Sequence, residues 1–94
     1  MEIRYNCDED TGLPHIYDHG VSEQEVEEVL RRPLKSWRGQ RDSRIVLGQT
    51  DGGRYLQIII VPDADGSGLF VVTAYDLKGK PLASLRRHLR RRGR

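Results

Sequence analysis

Residues 44–61 read RIVLGQTDGGRYLQIIIV, and this stretch decides the fold. The Asp-Gly-Gly at 51–53 is a strong hairpin turn signal, and the runs on either side of it are rich in β-branched residues. The second run is apolar at consecutive positions, Ile58, Ile59 and Ile60, which predicts a central strand covered by a helix on at least one side. We therefore expect all three isoleucines to be largely buried.

Further strands are predicted on either side of the hairpin. A turn-rich segment at 62–68 leads from the hairpin into the apolar run LFVVTAY, and an early strand is expected near the N-terminus. The predicted strands are 2–5, 44–50, 54–61 and 69–75.

The clearest helix begins after Ser22. Ser22 and Glu25 have the spacing of a capping box, in which the side chain of each residue accepts a hydrogen bond from the backbone amide of the other. Val26 and Val29 begin an apolar stripe with helical spacing, and Pro33 ends the helix.

A second helix is predicted to begin near Pro81, because proline is favoured in the first helical turn. Leu82, Leu85 and Leu89 share one side of it and are expected to dock on the sheet. Residues 87–94 form a basic tail that is expected to fray or to fold only on a partner. The predicted order is β-α-β-β-β-α, which indicates one α+β domain over residues 1–94. Its antiparallel sheet is packed by an acidic N-terminal helix and a basic C-terminal helix.

Composition narrows the class of protein. With 94 residues, 36% hydrophobic and 32% charged, the chain has room for one modest core. It has no apolar stretch of the roughly 20 residues that span a bilayer, and its N-terminus lacks the pattern of a signal peptide. Cys7 is the single cysteine, which rules out an internal disulfide framework. We therefore expect a cytoplasmic protein that does not enter a membrane.

The net charge of +2 hides an asymmetry along the chain. Residues 1–30 carry nine carboxylates and one arginine, which gives −8, whereas residues 31–94 carry fifteen bases and five acids, which gives +10. Such asymmetry suggests a polyanion or an acidic protein as the partner of the basic part. The alternative is a solvated helix face that folds against the acidic helix of the same chain.

His15 and His19 have the i, i+4 spacing of a helical zinc site. Pro14 and Gly20 bracket the pair, and no third ligand is obvious, so the sequence favours a structural role for His19 just before the helix cap. We expect no metal and no cofactor. The remaining residues that could take part in a reaction are a set of basic residues with one tyrosine and one histidine. They are Arg44, Arg54, Tyr75, Lys78, Lys80, Arg86, Arg87 and His88.

Most of the chain resembles BrnT-type toxins and their relatives. The resemblance lies in HGVS at 19–22, in RIVLGQT at 44–50 with GRYL at 53–56, and in VVTA at 71–74, after which a basic helix follows. It implies a RelE-like fold and a bacterial type II toxin–antitoxin setting. It also implies a ribonuclease that acts on mRNA and is neutralised by a cognate antitoxin, so RNA and the antitoxin are the implied partners.

The chain departs from that family pattern at two points. BrnT-like chains usually have arginine at the position of Tyr75, and they tend to carry a glutamate in the following segment, whereas this chain has no acid after Asp76. Catalytic roles therefore do not transfer directly from the family.

RNA can be cleaved without a metal by attack of its own 2′-hydroxyl on the adjacent phosphate. Arginine is suited to stabilising the negative charge on the phosphoryl oxygens, because its guanidinium group donates two hydrogen bonds to one phosphate. Histidine titrates near neutrality and suits proton transfer. The candidates for charge stabilisation are Arg44, Arg54 and Arg86, with Lys78 or Lys80 as helpers. The candidates for proton transfer are Tyr75 and His88. The remaining candidates for RNA binding are Arg87, Arg90 and Arg91.

Two functions of different classes therefore remain open from the sequence. One is a metal-independent endoribonuclease toxin, which the family-like hairpin favours. The other is a non-catalytic module that binds nucleic acid or an acidic protein, which the lack of an obvious acid–base pair favours.

Overall fold

The computed structural model of the protein describes residues 1–92. Its strands and helices form a small α+β domain with a five-stranded mixed sheet. The strands are β1 (Glu2–Tyr5), β2 (Lys35–Arg38), β3 (Arg44–Gln49), β4 (Tyr55–Pro62) and β5 (Gly68–Asp76). The α-helices are α1 (Glu23–Arg31) and α2 (Gly79–Arg92), and a 3-10 helix spans His15–His19.

The sheet has the strand order β1-β5-β4-β3-β2. The hairpin of β3 and β4 is confirmed, with Gln49 opposite Tyr55 across the turn. The expected all-antiparallel sheet is wrong at one edge, because β1 lies parallel to β5 and places Ile3 beside Leu69. The pattern within a single strand carries no information on the direction of its neighbour, so the sequence could not reveal this pairing.

β2 is absent from the strands that the sequence predicts, so the order is β-α-β-β-β-β-α. Its four residues read KSWR, and all four are exposed. An edge strand of this composition lacks the alternation of apolar and polar residues by which strands are identified. Its position comes from pairing with β3, in which Trp37 lies opposite Ile45.

α1 packs on one face of the sheet and begins as predicted. The Ser22 hydroxyl accepts from the amide of Glu25 at 3.1 Å, and the Glu25 carboxylate accepts from the amide of Ser22 at 3.1 Å. Val29 lies fully buried against β3 at Gly48, where a Cβ would come within 2.6 Å of the Val29 side chain. The glycine therefore permits the close approach of α1 to the sheet.

The isoleucines of β4 divide between the two faces of the sheet. Ile58 and Ile60 are buried on the α1 side. Ile59 is half-buried, so its burial is less complete than that of Ile58 and Ile60. Successive side chains of a strand point to opposite faces, and the second face carries less cover.

α2 packs on that second face and confirms the predicted docking of its leucines. Leu85 is buried with Leu47 and Leu77, and Leu82 and Leu89 pack against the same cluster. Residues 87–92 belong to α2, and the last two positions of the expected tail lie outside the described residues. Neither helix in residues 1–92 has the length and apolar character that a membrane span requires.

Candidate functional site

A cavity of about 280 Å³ lies where the chain leaves β5 and approaches α2. His19 reaches it from the end of the 3-10 helix, Tyr75 and Asp76 from the last two positions of β5, and Lys78 from the linker before α2. Two segments that are distant in sequence, one at position 19 and one at positions 75–78, thus bring an imidazole, a phenol, a carboxylate and an ammonium group together.

Tyr75 and His19 form the centre of this cavity. The Tyr75 hydroxyl accepts a hydrogen bond from Nε2 of Gln57 at 2.9 Å, which leaves its own proton available to donate. The rings of His19 and Tyr75 meet edge to face with centroids 5.8 Å apart. The ring of His15 lies 5.4 Å beyond His19 in the same manner, and its Nδ1 lies 3.5 Å from a carboxylate oxygen of Asp18.

The 3-10 helix that carries His19 is held in place by its own sequence. Ile16 anchors it in the core at 1% exposure. Gly20 ends it with φ of 69°, a left-handed conformation that glycine adopts without steric cost. This turn places His19 at the sheet edge immediately before the cap of α1.

Arg54 lies behind this cavity rather than in it. Its Nε donates to Asp76 at 2.5 Å, and one terminal nitrogen donates to the Gly20 carbonyl at 2.8 Å and to Glu25 at 3.1 Å. The other terminal nitrogen donates to the His19 carbonyl at 3.3 Å. The hydrogen bond from Arg54 holds the pKa of the Asp76 carboxyl below its usual range. The Arg54 guanidinium group donates all these hydrogen bonds to the protein itself. Arg54 therefore holds the wall of the cavity in position and is not directed at a ligand.

Arg44 lies on the face of the sheet opposite to Tyr75. Arg44 pairs with Ile60 and Tyr75 with Gln57, so the two lie about 10 Å apart along the strand direction at roughly 3.3 Å per residue. The Arg44 guanidinium donates to the Ser36 hydroxyl at 3.3 Å. The structure therefore does not bring Arg44 and Tyr75 to one site.

The basic residues of α2 form a separate surface. Lys80 and the arginines of the helix are exposed, and Arg86 covers the Tyr55 ring with its guanidinium carbon 5.5 Å from the centroid. His88 is half-buried on α2 and does not line the cavity at Tyr75. The exposed arginines of α2 are Arg86, Arg87, Arg90, Arg91 and Arg92.

The sheet face on the α2 side is only partly covered by the helix. We call it the open sheet face and define it by the half-buried residues Gln57, Ile59, Val61, Phe70 and Tyr75. It combines apolar and aromatic side chains with the bases of α2 beside it. Such a combination is suited to stacking nucleic-acid bases while cations hold the phosphates.

The sequence suggested a structural role for His19, and the cavity gives it a place in a site. Nothing in the local pattern links His19 to Tyr75, which is 56 positions further along the chain. Only the contact of the 3-10 helix with β5 brings them together. Within residues 1–92, no group of three or more His, Cys, Asp or Glu side chains is arranged to hold a metal ion.

Comparisons with known proteins assign the chain to a family. No curated protein and no solved structure matches the chain. Residues 15–76 match the family described as a domain of unknown function, DUF4258. The match begins at His15 and ends at Asp76, so it includes His19 and Tyr75 from the cavity. Since it spans more than half of the 94 residues, the chain belongs to the DUF4258 family.

Proposed function

We propose that the protein is a metal-independent endoribonuclease whose catalytic centre is the cavity of His19, Tyr75 and Lys78. The observation that carries the proposal is the meeting of these three side chains beside the open sheet face. The cavity contains two groups that can exchange protons and one permanent cation, which is the set that cleavage by the 2′-hydroxyl requires.

The chemistry follows from the roles of these groups. His19 takes the proton of the 2′-hydroxyl, whose oxygen attacks the adjacent phosphorus in line with the 5′-oxygen. Lys78 stabilises the negative charge on the phosphoryl oxygens. The bond between phosphorus and the 5′-oxygen breaks, and Tyr75 gives its proton to that oxygen. The products are a 2′,3′-cyclic phosphate and a 5′-hydroxyl.

The substrate is held along the open sheet face. Phe70 and the neighbouring apolar side chains offer stacking surface, and the exposed bases of α2 contact phosphates on either side of the scissile bond. The bases assigned to this role are Lys80, Arg86, Arg87, Arg90 and Arg91. His88, which is half-buried on α2, has no role in this arrangement.

The biological setting rests on the resemblance to BrnT-type toxins. We assign the protein to bacterial type II toxins of the RelE-like fold, acting on mRNA in the cytoplasm and neutralised by a cognate antitoxin. The order of a strand, a helix, a run of strands and a final basic helix supports this assignment. Tyr75 departs from the arginine of that family, and in the proposed mechanism its phenol supplies a proton.

The proposal is tested by incubating purified protein with labelled RNA in the presence of EDTA. We expect cleavage to persist, because side chains supply every proton transfer and charge contact. His19→Gln and Tyr75→Phe should each lower the rate by about 10²–10⁴-fold, because each removes one proton transfer of general acid–base catalysis. Arg31→Gln removes an exposed charge on α1 and serves as the control with unchanged rate. Full activity in both cavity variants would assign the catalytic centre elsewhere.

A second candidate function is a non-catalytic module that binds RNA. It is favoured by the five exposed arginines of α2, which can bind phosphates without any catalytic group. Folded wild-type protein that binds RNA and never cuts it, alone or on ribosomes, would select this function. Induction in a bacterium separates the two as well, since the ribonuclease arrests growth and its His19→Gln variant does not.

A further inference from the structure

A second and larger cavity, of about 620 Å³, lies at the end of the sheet where β2 ends and β3 begins. Three arginines line it: Arg38 from β2, Arg41 from the connecting turn and Arg44 from β3. The proposed catalytic centre uses none of them.

The arginines crowd positive charge at this end. Arg38 and Arg44 are direct cross-strand partners, and like charges in that arrangement destabilise a sheet. Within residues 1–92, none of the three arginines lies within 4.0 Å of a carboxylate oxygen. Of the two acids that line the cavity, Asp63 is already paired with Arg4.

The backbone of the turn adds a second cost. Arg41 has φ of 55°, and it is the only non-glycine residue with positive φ among residues 1–92. Glycine or asparagine would adopt this left-handed conformation at a lower conformational cost than arginine does. The turn is fixed by hydrogen bonds from Ser43 to the Gln40 carbonyl, with its amide at 3.0 Å and its hydroxyl at 2.6 Å.

We infer that Arg38, Arg41 and Arg44 form a binding site for an RNA phosphate other than the one that is cleaved. A bound phosphate would relieve the repulsion between Arg38 and Arg44, and the arginine fork binds phosphate oxygens in pairs. The inference rests on the proposed function for the identity of the ligand. The separation of Arg44 from Tyr75 means that one phosphate cannot occupy both sites.

The test measures the salt dependence of binding to a 2′-O-methyl RNA of about twelve nucleotides, a length within the range of single-stranded sites. The variant carries Arg38→Gln and Arg41→Gln, and the control carries Arg31→Gln and Arg32→Gln, which removes equal charge from the end of α1. Loss of the one phosphate held at this site should flatten the slope of log K against log salt by about 0.7. The control slope should match the wild type.

Folding and chemistry are checked on the same proteins. The variant should melt no lower than the wild type, because Arg38→Gln removes a like-charge pair. A dinucleotide has one phosphodiester, so its cleavage rate should be the same in the variant and the wild type. If the variant has a flatter slope than the wild type but the wild type cuts no RNA, the ribonuclease proposal is wrong and the phosphate site is retained. Equal slopes in variant, control and wild type would overturn the phosphate site, whatever the cleavage result. An acidic protein would then be the alternative ligand of the three arginines.

Discussion

Arg54 joins three parts of the chain through one guanidinium group. It donates to two carbonyl groups at the end of the 3-10 helix, to a carboxylate of α1 and to the carboxylate at the end of β5. Asp76 and Glu25 are its acidic partners, and its side chain is 28% exposed. His19 and Tyr75 stand on backbone that this group fixes, so Arg54 acts on the cavity through position alone.

We predict that Arg54→Ala lowers the free energy of unfolding by about 2–3 kcal/mol, because two carboxylates and two carbonyl groups lose a charged donor. Arg32→Ala should cost less than about 0.5 kcal/mol, because the pair of Arg32 with Asp51 is exposed at 3.6 Å. Urea titrations at neutral pH measure both values. Equal small losses in the two variants would mean that the network around Arg54 contributes little.

The same network predicts a dependence on pH. Arg54 lowers the pKa of Asp76 in the folded protein, so the contact stabilises the fold above the ordinary carboxyl pKa of about 3.9. That stability is lost as the pH falls through the lower folded value. The difference in stability between wild type and Arg54→Ala should therefore shrink below about pH 4. A difference that stays constant down to pH 2 would contradict the assignment.

At the residue scale, the sequence named candidate side chains but could not predict which of them meet. Tyr75 and Lys78 were identified as candidates and share a cavity. Arg54 was expected to clamp phosphate, but its partners are set by contacts between segments that no local pattern encodes. His19 entered the site for the same reason.

At the scale of elements, the sequence predicted those features that depend on interactions between residues close together in the chain. The capping box at Ser22, the hairpin turn after β3 and the leucine stripe of α2 each depend on neighbouring residues, and each is confirmed. β2 and the direction of β1 depend on pairing with distant strands, so they had no local signature. β5 also carries an extra residue, Val72, opposite the bond between Ile59 and Ile60, which no sequence pattern announced.

We predict that the two faces of β4 respond differently to truncation. Ile58→Ala should cost about 2–5 kcal/mol, because Ile58 has no exposed surface and packs between the sheet and α1. Ile59→Ala should cost clearly less, because Ile59 is half-buried on the open sheet face. Thermal melts followed by circular dichroism compare them. A larger loss for Ile59 would mean that the open sheet face is covered in solution.

At the scale of the whole molecule, the two helices divide the charge of the chain between the faces of the sheet. α1 packs through Val26 and Val29 on one face, and α2 packs through Leu85 on the other. The basic surface of α2 therefore does not fold against the acidic helix, as the charge pattern alone allowed. Within residues 1–92, no arginine of α2 forms an ion pair, and these arginines lie beside the open sheet face, where a polyanion can reach them.

The central claim is that this surface presents RNA to a cavity that uses the 2′-hydroxyl of the substrate as the nucleophile. The most direct measurement compares single-turnover cleavage of one RNA oligonucleotide with that of its 2′-O-methyl analogue, both in EDTA. We expect that both bind, that only the RNA is cut, and that its new end is a 2′,3′-cyclic phosphate. Cleavage of the analogue, or folded protein that binds the RNA and leaves it intact, would contradict the account.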